Sequence, residues 1–163
     1  MNYIRIYNMD LVNGKGVRVV MFVAGCNHKC DGCYNRSSWN PRNGTPYTEE
    51  TENELIKLLS NPHVDGLTLT GGDPFYRTNH PTLLKLLQRV RATFPDKDVW
   101  VWTGYTLEAL QDDTERSKLL PFIDVLIDGR YEKDLPTKKP FRGSDNQRMI
   151  EFKKNSIEIK NIA

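Results

Sequence analysis

Three cysteines, Cys26, Cys30 and Cys33, stand within eight residues and directly follow the apolar, β-branched run Val17–Val23. They are all the cysteines of the 163-residue chain. A disulfide framework needs an even number spread along the sequence, so an odd, clustered set points to metal binding or catalysis in a reducing compartment. Thiolates are soft ligands that suit iron–sulfur clusters and zinc. The spacing is C-x3-C-x2-C. Three thiolates on one short loop hold three corners of a four-iron cluster and leave the fourth iron open to a substrate. The alternative is a closed zinc site in which His28 completes a Cys3His set. Structural zinc usually draws ligands from two separate segments, and here all four lie within eight residues, which favours iron–sulfur. Taken alone, His28 reads as a solvated loop residue.

The segments around this loop alternate between strand and helix patterns. Tyr3–Tyr7 alternates as a short strand, and Val17–Val23 (VRVVMFV) suits a buried one. Residues 37–47 are turn-rich. Thr48 is a good N-cap, with Glu49 and Glu50 in the first turn and Leu55, Leu58 and Leu59 at helical spacing up to about Ser60. Val64–Thr70 reads as the next strand and runs into Gly71-Gly72-Asp73-Pro74. A second helix starts near Pro81, with Leu83, Leu84, Leu87, Val90 and Phe94 as its apolar stripe. Val99–Trp102 is a strand followed by Thr103-Gly104. A short helix follows from about Thr106, and Val125–Ile127 is a strand followed by Asp128-Gly129. Strand-like pieces at Arg148–Phe152 and Ser156–Ile159 close the chain. The leucine stripes, and Trp100 or Trp102, read as core.

Strand–helix alternation implies right-handed crossovers and a mostly parallel sheet, in an α/β fold. Ligands of such sheets sit beyond the carboxyl ends of the strands. The cysteine loop, the Gly-Gly-Asp-Pro turn, Thr103-Gly104 and Asp128-Gly129 each follow a strand, so the topology gathers all four at one end. Closing an eight-stranded α/β barrel takes about 250 residues. A shorter chain predicts an open, partial (βα) barrel formed by residues 1–163 as one domain. An open side suits a macromolecular substrate.

Composition narrows the function. Net charge is +2, from 23 basic and 21 acidic residues, which gives no support to a dedicated nucleic-acid binder. Mean hydropathy is −0.59. No apolar run approaches the roughly 20 residues of a membrane span. The start, Met1-Asn2-Tyr3-Ile4-Arg5, lacks the layout of a secretion signal. A cytoplasmic protein is expected.

The C-x3-C-x2-C loop after one strand and Gly71-Gly72-Asp73-Pro74 after the next resemble the cluster and Gly-Gly-Glu motifs of the radical S-adenosylmethionine (SAM) superfamily. Three longer runs sharpen the likeness: residues 10–18 (DLVNGKGVR), residues 25–35 (GCNHKCDGCYN) and residues 141–148 (FRGSDNQR). Together with the short length, they resemble the activating proteins of anaerobic (class III) ribonucleoside-triphosphate reductases, across roughly residues 3 to 150. The residue before the third cysteine, often aromatic and near the SAM adenine in the superfamily, is Gly32 here, and Tyr34 follows the cysteine. Short activating proteins commonly show that form, which leaves the adenine contact to backbone or to Tyr34. Asp73 replaces the usual Glu, keeping the carboxylate with a shorter reach.

The resemblance implies a [4Fe–4S] cluster on Cys26, Cys30 and Cys33, with the methionine part of SAM on the fourth iron. It further implies reductive cleavage of SAM to a 5′-deoxyadenosyl radical. That radical takes a hydrogen atom from a glycine of the large subunit of the reductase, and a reduced flavodoxin-type protein supplies the electron. Gly32, Cys33, Tyr34, Gly71, Gly72, Asp73, Thr103 and Asp128 are the candidate cofactor-binding residues. Gly71 and Gly72 suit close backbone approach, with carbonyls able to accept from the SAM amine. Thr103 and Asp128 suit ribose hydroxyls or the methionine moiety, and equally suit loop or capping roles. No acid, base or nucleophile is needed for a hydrogen-atom transfer. Arg142, Asn146, Gln147 and Arg148 are candidates for contacting the partner or ordering the site rim. The rival readings are an activase of another glycyl radical enzyme and a non-catalytic zinc-binding interaction module.

Overall fold

The computed structural model describes residues 1–153 and 156–160. The strands are β1 (Asn2–Asp10), β2 (Arg18–Val23), β3 (Thr45–Pro46), β4 (Gly66–Gly71), β5 (Asp98–Trp102), β6 (Val125–Asp128), β7 (Arg148–Lys153) and β8 (Ser156–Lys160). The helices are α1 (Glu49–Leu59), α2 (His80–Thr93) and α3 (Leu107–Asp112). Among the described residues the strands form one sheet in the order β3-β1-β2-β4-β5-β6-β7-β8. The two ends of that order do not meet, so the sheet is open rather than a closed barrel.

The centre is parallel. β2 pairs with β4 from Arg18–Gly66 to Val23–Gly71, β4 with β5, and β5 with β6. Helical crossovers make those pairings possible. Both flanks are antiparallel: β1 against β2 and β3, β6 against β7, and β7 against β8. No helix lies between β1 and β2, or between β6 and β7, to carry the chain back along the sheet, so those neighbours run opposite ways.

One face of the sheet is covered by the helices. Val19, Met21 and Val23, Leu67 and Leu69, and Val99 and Val101 alternate onto that face, where they share a core with Leu55, Leu59, Leu83, Leu86, Leu87, Val90, Leu107 and Leu110. Each helix begins on its own chemistry. The Thr48 hydroxyl accepts from the Thr51 amide at 3.4 Å, and the Thr51 hydroxyl accepts from the Thr48 amide at 3.2 Å, a reciprocal cap. The Thr106 hydroxyl caps α3 through the Ala109 amide at 3.3 Å. Pro81 sits in the first turn of α2. Asn79, at the N-cap of α2, does not cap it. Its amide instead donates to the Ala24 carbonyl at 2.8 Å and the Asp73 carbonyl at 3.2 Å, tying the helix start to the ends of β2 and β4.

The opposite face carries Trp100, Val125, Ile127 and Met149, with Trp102 and Phe141 packed on them. Arg18 lies there with no solvent exposure. Its Nε donates to the Thr68 hydroxyl at 2.7 Å, and Nη1 pairs with Asp98 at 2.7 Å and donates to the Lys15 carbonyl at 3.0 Å. Its guanidinium also lies over the Trp100 ring, 5.4 Å from the centroid. Burial pulls the guanidinium pKa below its ordinary value, and Asp98 opposes that shift. The Thr68 hydroxyl passes the chain on to the Asn13 carbonyl at 2.7 Å. One buried cation thus bolts the 11–17 loop across β4 and β5.

Candidate metal centre

Because β2, β4, β5 and β6 run parallel, their carboxyl ends lie together, and a cavity of about 250 Å³ opens there. Cys26, Cys30 and Cys33 line it, as do Tyr34, Gly71, Gly72, Asp73 and Thr103. Gly32 and Asp128 do not. All three cysteines are free and half-buried.

The cysteine loop is irregular, so its backbone groups need partners from elsewhere. The Gly25 amide donates to the Ser38 carbonyl at 2.7 Å, and the Cys26 amide donates to the Trp39 carbonyl at 3.1 Å. The Cys33 amide turns back to the Cys30 carbonyl at 3.2 Å, and the Asn35 amide donates to Cys33 Sγ at 3.3 Å. Burial pushes the Cys26 thiol up to about 11. The backbone amides of His28 and Lys29 pull the other way, and the charge of Asp73 adds to the rise. A metal that binds Cys26 therefore displaces a proton as it binds.

The glycines of the next turn are needed for close protein packing. Gly71 has φ +102°, and a Cβ there would stand 2.8 Å from the β2 backbone at Phe22 and Val23. A Cβ on Gly72 would stand 2.6 Å from the Gly25 carbonyl oxygen. The turn therefore presses against the strand that launches the cysteine loop. Asp73 is buried, and its carboxylate is taken by protein donors. Oδ1 accepts from the Phe75 amide at 2.9 Å and the Thr103 hydroxyl at 2.9 Å. Oδ2 accepts from the Gly104 amide at 3.0 Å and faces His28 Nε2 at 2.7 Å. The shorter carboxylate of Asp73 thus serves the turn and its neighbours.

Asp128 turns away from the cavity. Its Oδ2 caps α3 through the Leu107 amide at 2.7 Å, and Arg148 takes both oxygens, so a ribose contact is not what this carboxylate does here. The polar run 142–148 orders the loop between β6 and β7. Asn146 donates to the Arg130 carbonyl at 2.7 Å, Gln147 to the Gly129 carbonyl at 2.9 Å, and the Ser144 hydroxyl accepts from the Glu132 amide at 3.1 Å. Held this way, the loop reaches the cysteine loop. Arg130 donates to the His28 carbonyl, Lys133 pairs with Asp31, and Tyr131 packs on Tyr34 with ring centroids 5.6 Å apart. Gly32 lies beneath Lys133 and Tyr131.

A model of the 4Fe-4S single cluster domain family matches residues 12–150. The chain is 56% identical over 149 residues to the anaerobic ribonucleoside-triphosphate reductase-activating protein of Enterobacteria phage T4, covering 91% of this chain and 93% of that one. It is 47% identical to the protein of that name from Pasteurella multocida (93% and 98% covered) and 45% identical to that of Escherichia coli (90% and 96%). The chain belongs to the family of anaerobic ribonucleoside-triphosphate reductase-activating proteins.

The donor set in this activating-protein chain suits a 4Fe-4S cluster. Three free thiols of one loop border one cavity, and a cluster takes each thiolate on a different iron. Among the described residues no three His, Cys, Asp or Glu side chains converge on one ion position, and His28 Nε2, the fourth donor of a Cys3His set, lies 2.7 Å from Asp73 Oδ2. Sequence reasoning did not pick out Asn13, Trp39, Trp102 or Tyr131 as cavity residues. Asn13 lay inside a run already recognised as family-like. Tyr131 carried no local signal, since it reaches the cavity only through the folding of the 129–147 loop.

Proposed function

We propose that this protein is an activating enzyme that installs the glycyl radical of an anaerobic ribonucleoside-triphosphate reductase, using a [4Fe–4S] cluster and SAM. The observation that carries the reading is that Cys26, Cys30 and Cys33 border the same cavity as Gly71, Gly72 and Gly104, at the carboxyl ends of parallel strands. Cys26, Cys30 and Cys33 hold three irons. When bound, the cluster and SAM supply one-electron cleavage of a carbon–sulfur bond and a carbon radical that removes a hydrogen atom.

The chain's own residues place and shield that chemistry. The carbonyls of Gly71 and Gly72 are the acceptors offered to the SAM ammonium group. Tyr34 and Tyr131 are the rings at the rim beside Cys33 that a purine can meet. Phe22 and Trp102 give the cavity an apolar wall, which limits water near a radical. The mouth of the cavity at the carboxyl ends of the parallel strands is where the reductase large subunit would dock, on a partial barrel of the radical SAM type spanning residues 1–163. A reduced flavodoxin-type donor and a cytoplasmic setting complete the reading. Free thiols suit a reducing compartment, and among the described residues no helix is long and apolar enough to cross a membrane.

The test is anaerobic reconstitution with iron and sulfide, followed by reduction and addition of SAM. Release of 5′-deoxyadenosine and methionine is expected, lost in Cys26→Ala, Cys30→Ala and Cys33→Ala, and an EPR glycyl-radical signal is expected on adding the reductase. Tightly held zinc without sulfide would overturn the reading.

A further inference from the structure

His28 stands in the middle of the cysteine loop, two residues from both Cys26 and Cys30. It is fixed at both ends. Its carbonyl accepts from Arg130 Nη2 at 2.5 Å, and its ring lies in a slot with three walls. Asp73 Oδ2 is 2.7 Å from Nε2. The Tyr105 ring meets the imidazole edge-on with centroids 4.5 Å apart. Gly104 forms the third wall, and a Cβ there would stand 2.5 Å from His28 Cδ2. A carboxylate only accepts, so Nε2 is the donor. Asp73 is 1% exposed and is itself fixed by the Phe75 and Gly104 amides and the Thr103 hydroxyl. Tyr105 is in turn held by Arg116, whose guanidinium lies 4.4 Å from the ring centroid.

We propose that His28 is a positioning residue: its hydrogen bond to Asp73 anchors the cysteine loop to the ends of β4 and β5 before any cluster is present. The proposal deepens the reading of Cys26, Cys30 and Cys33 as cluster ligands and rests on it. Ligand loops without regular structure are floppy unless neighbouring side chains hold them, and such supports set ligand geometry. Residues 73 and 28 are also matched in length. A Glu at 73 would carry its carboxylate one methylene further, into the space the imidazole fills.

Trypsin reads the anchor directly, because Lys29 is exposed in the middle of the loop. The full-length chain is compared without iron, under reducing anaerobic conditions, with cleavage after Lys29 followed by mass spectrometry and folding checked by thermal melts. Two variants separate hydrogen bonding from packing. His28→Phe keeps a ring against Tyr105 and removes the donor. His28→Gln keeps an N–H donor and removes the ring. A hydrogen bond to a charged partner is worth enough to make cleavage after Lys29 about tenfold faster in His28→Phe, with His28→Gln close to the parent. Asp73→Asn, which removes the charge, should accelerate cleavage as His28→Phe does. Fast cleavage in His28→Gln with a parental rate in His28→Phe would assign His28 to packing and overturn the proposal, as would parental rates throughout. Iron and sulfide uptake, measured separately, tests the cluster reading: faster cleavage in His28→Phe alongside a parent that takes up no iron would sink that reading and leave the anchor standing.

Discussion

Arg148 on β7 donates from Nε to Asp128 Oδ1 at 2.9 Å and from Nη2 to Asp128 Oδ2 at 2.5 Å, across the antiparallel β6–β7 pair. The same guanidinium reaches Glu108 on α3 through Nη1 at 3.0 Å and Nη2 at 2.7 Å. One arginine thus joins the last parallel strand, the returning strand and the helix between β5 and β6. A carboxylate after a parallel strand looked available for a ligand, and the register of β7 assigns it to Arg148.

Removing that carboxylate leaves Arg148 without its buried partner and the Leu107 amide at the start of α3 without its acceptor, though the Thr106 cap remains. Asp128→Ala should lower the unfolding free energy by about 3 kcal/mol. Urea denaturation measures it. A loss below a few tenths would show that the pair contributes nothing net.

Arg148 also sets a pH response. Its hydrogen bonds hold the Glu108 carboxyl down at about 2, against an ordinary 4.5. A folded pKa below the unfolded one stabilises above the unfolded value, and that stabilisation fades as pH falls from about 4.5 to about 2. Glu108 is mostly exposed, so the effect on stability is small and shrinks with salt. A carboxyl-carbon NMR titration should place Glu108 low in the parent and clearly higher in Arg148→Gln, with the backbone and Thr106 hydrogen bonds still holding it below its ordinary value. Equal midpoints in the two proteins would refute the assignment.

Gly71→Ala combines a left-handed backbone with a Cβ against β2. The backbone strain alone is about 1–2 kcal/mol. The neighbour is backbone, which cannot move aside cheaply, so the loss in thermal stability should exceed that of an exposed Gly→Ala change. Reconstituted iron content should fall with it, because Gly71 presses on the strand that leads into Cys26.

Arg18 is a test of planar geometry. Arg18→Ala should destabilise by about 3 kcal/mol, since buried acceptors at Thr68 and Leu67 lose their donor. Arg18→Lys keeps the charge without the fork and should recover less than half of it. Chemical denaturation with both variants decides. Full recovery by lysine would mean that charge alone matters.

Much of the fold was written locally. The β-branched run up to Val23, the Thr48 and Thr106 caps, and Pro81 opening α2 act within a few residues, and a short-range signal survives in the sequence. The two-residue β3, the extension of β1 to Asp10 and the antiparallel flanks did not show, because they depend on which strand lies alongside. The site divides in the same way. Cys26, Cys30 and Cys33 are legible from their spacing as candidates on one loop, and Gly71 and Gly72 from their place after a strand, and all five line the cavity. The tasks of Asp73 and Asp128 were hidden, since their partners lie 45 and 20 residues away, at His28 and Arg148.

By itself, then, the sequence determined the chemistry on offer: three thiols on one loop, glycine turns after strands, and the alternation that makes the central strands parallel. The tertiary structure alone decided which polar groups stay open to a ligand. A buried carboxylate goes to whichever donors the strand register and loop packing bring within 3 Å. Those neighbours are set by long-range pairing, and no spacing along the chain encodes them.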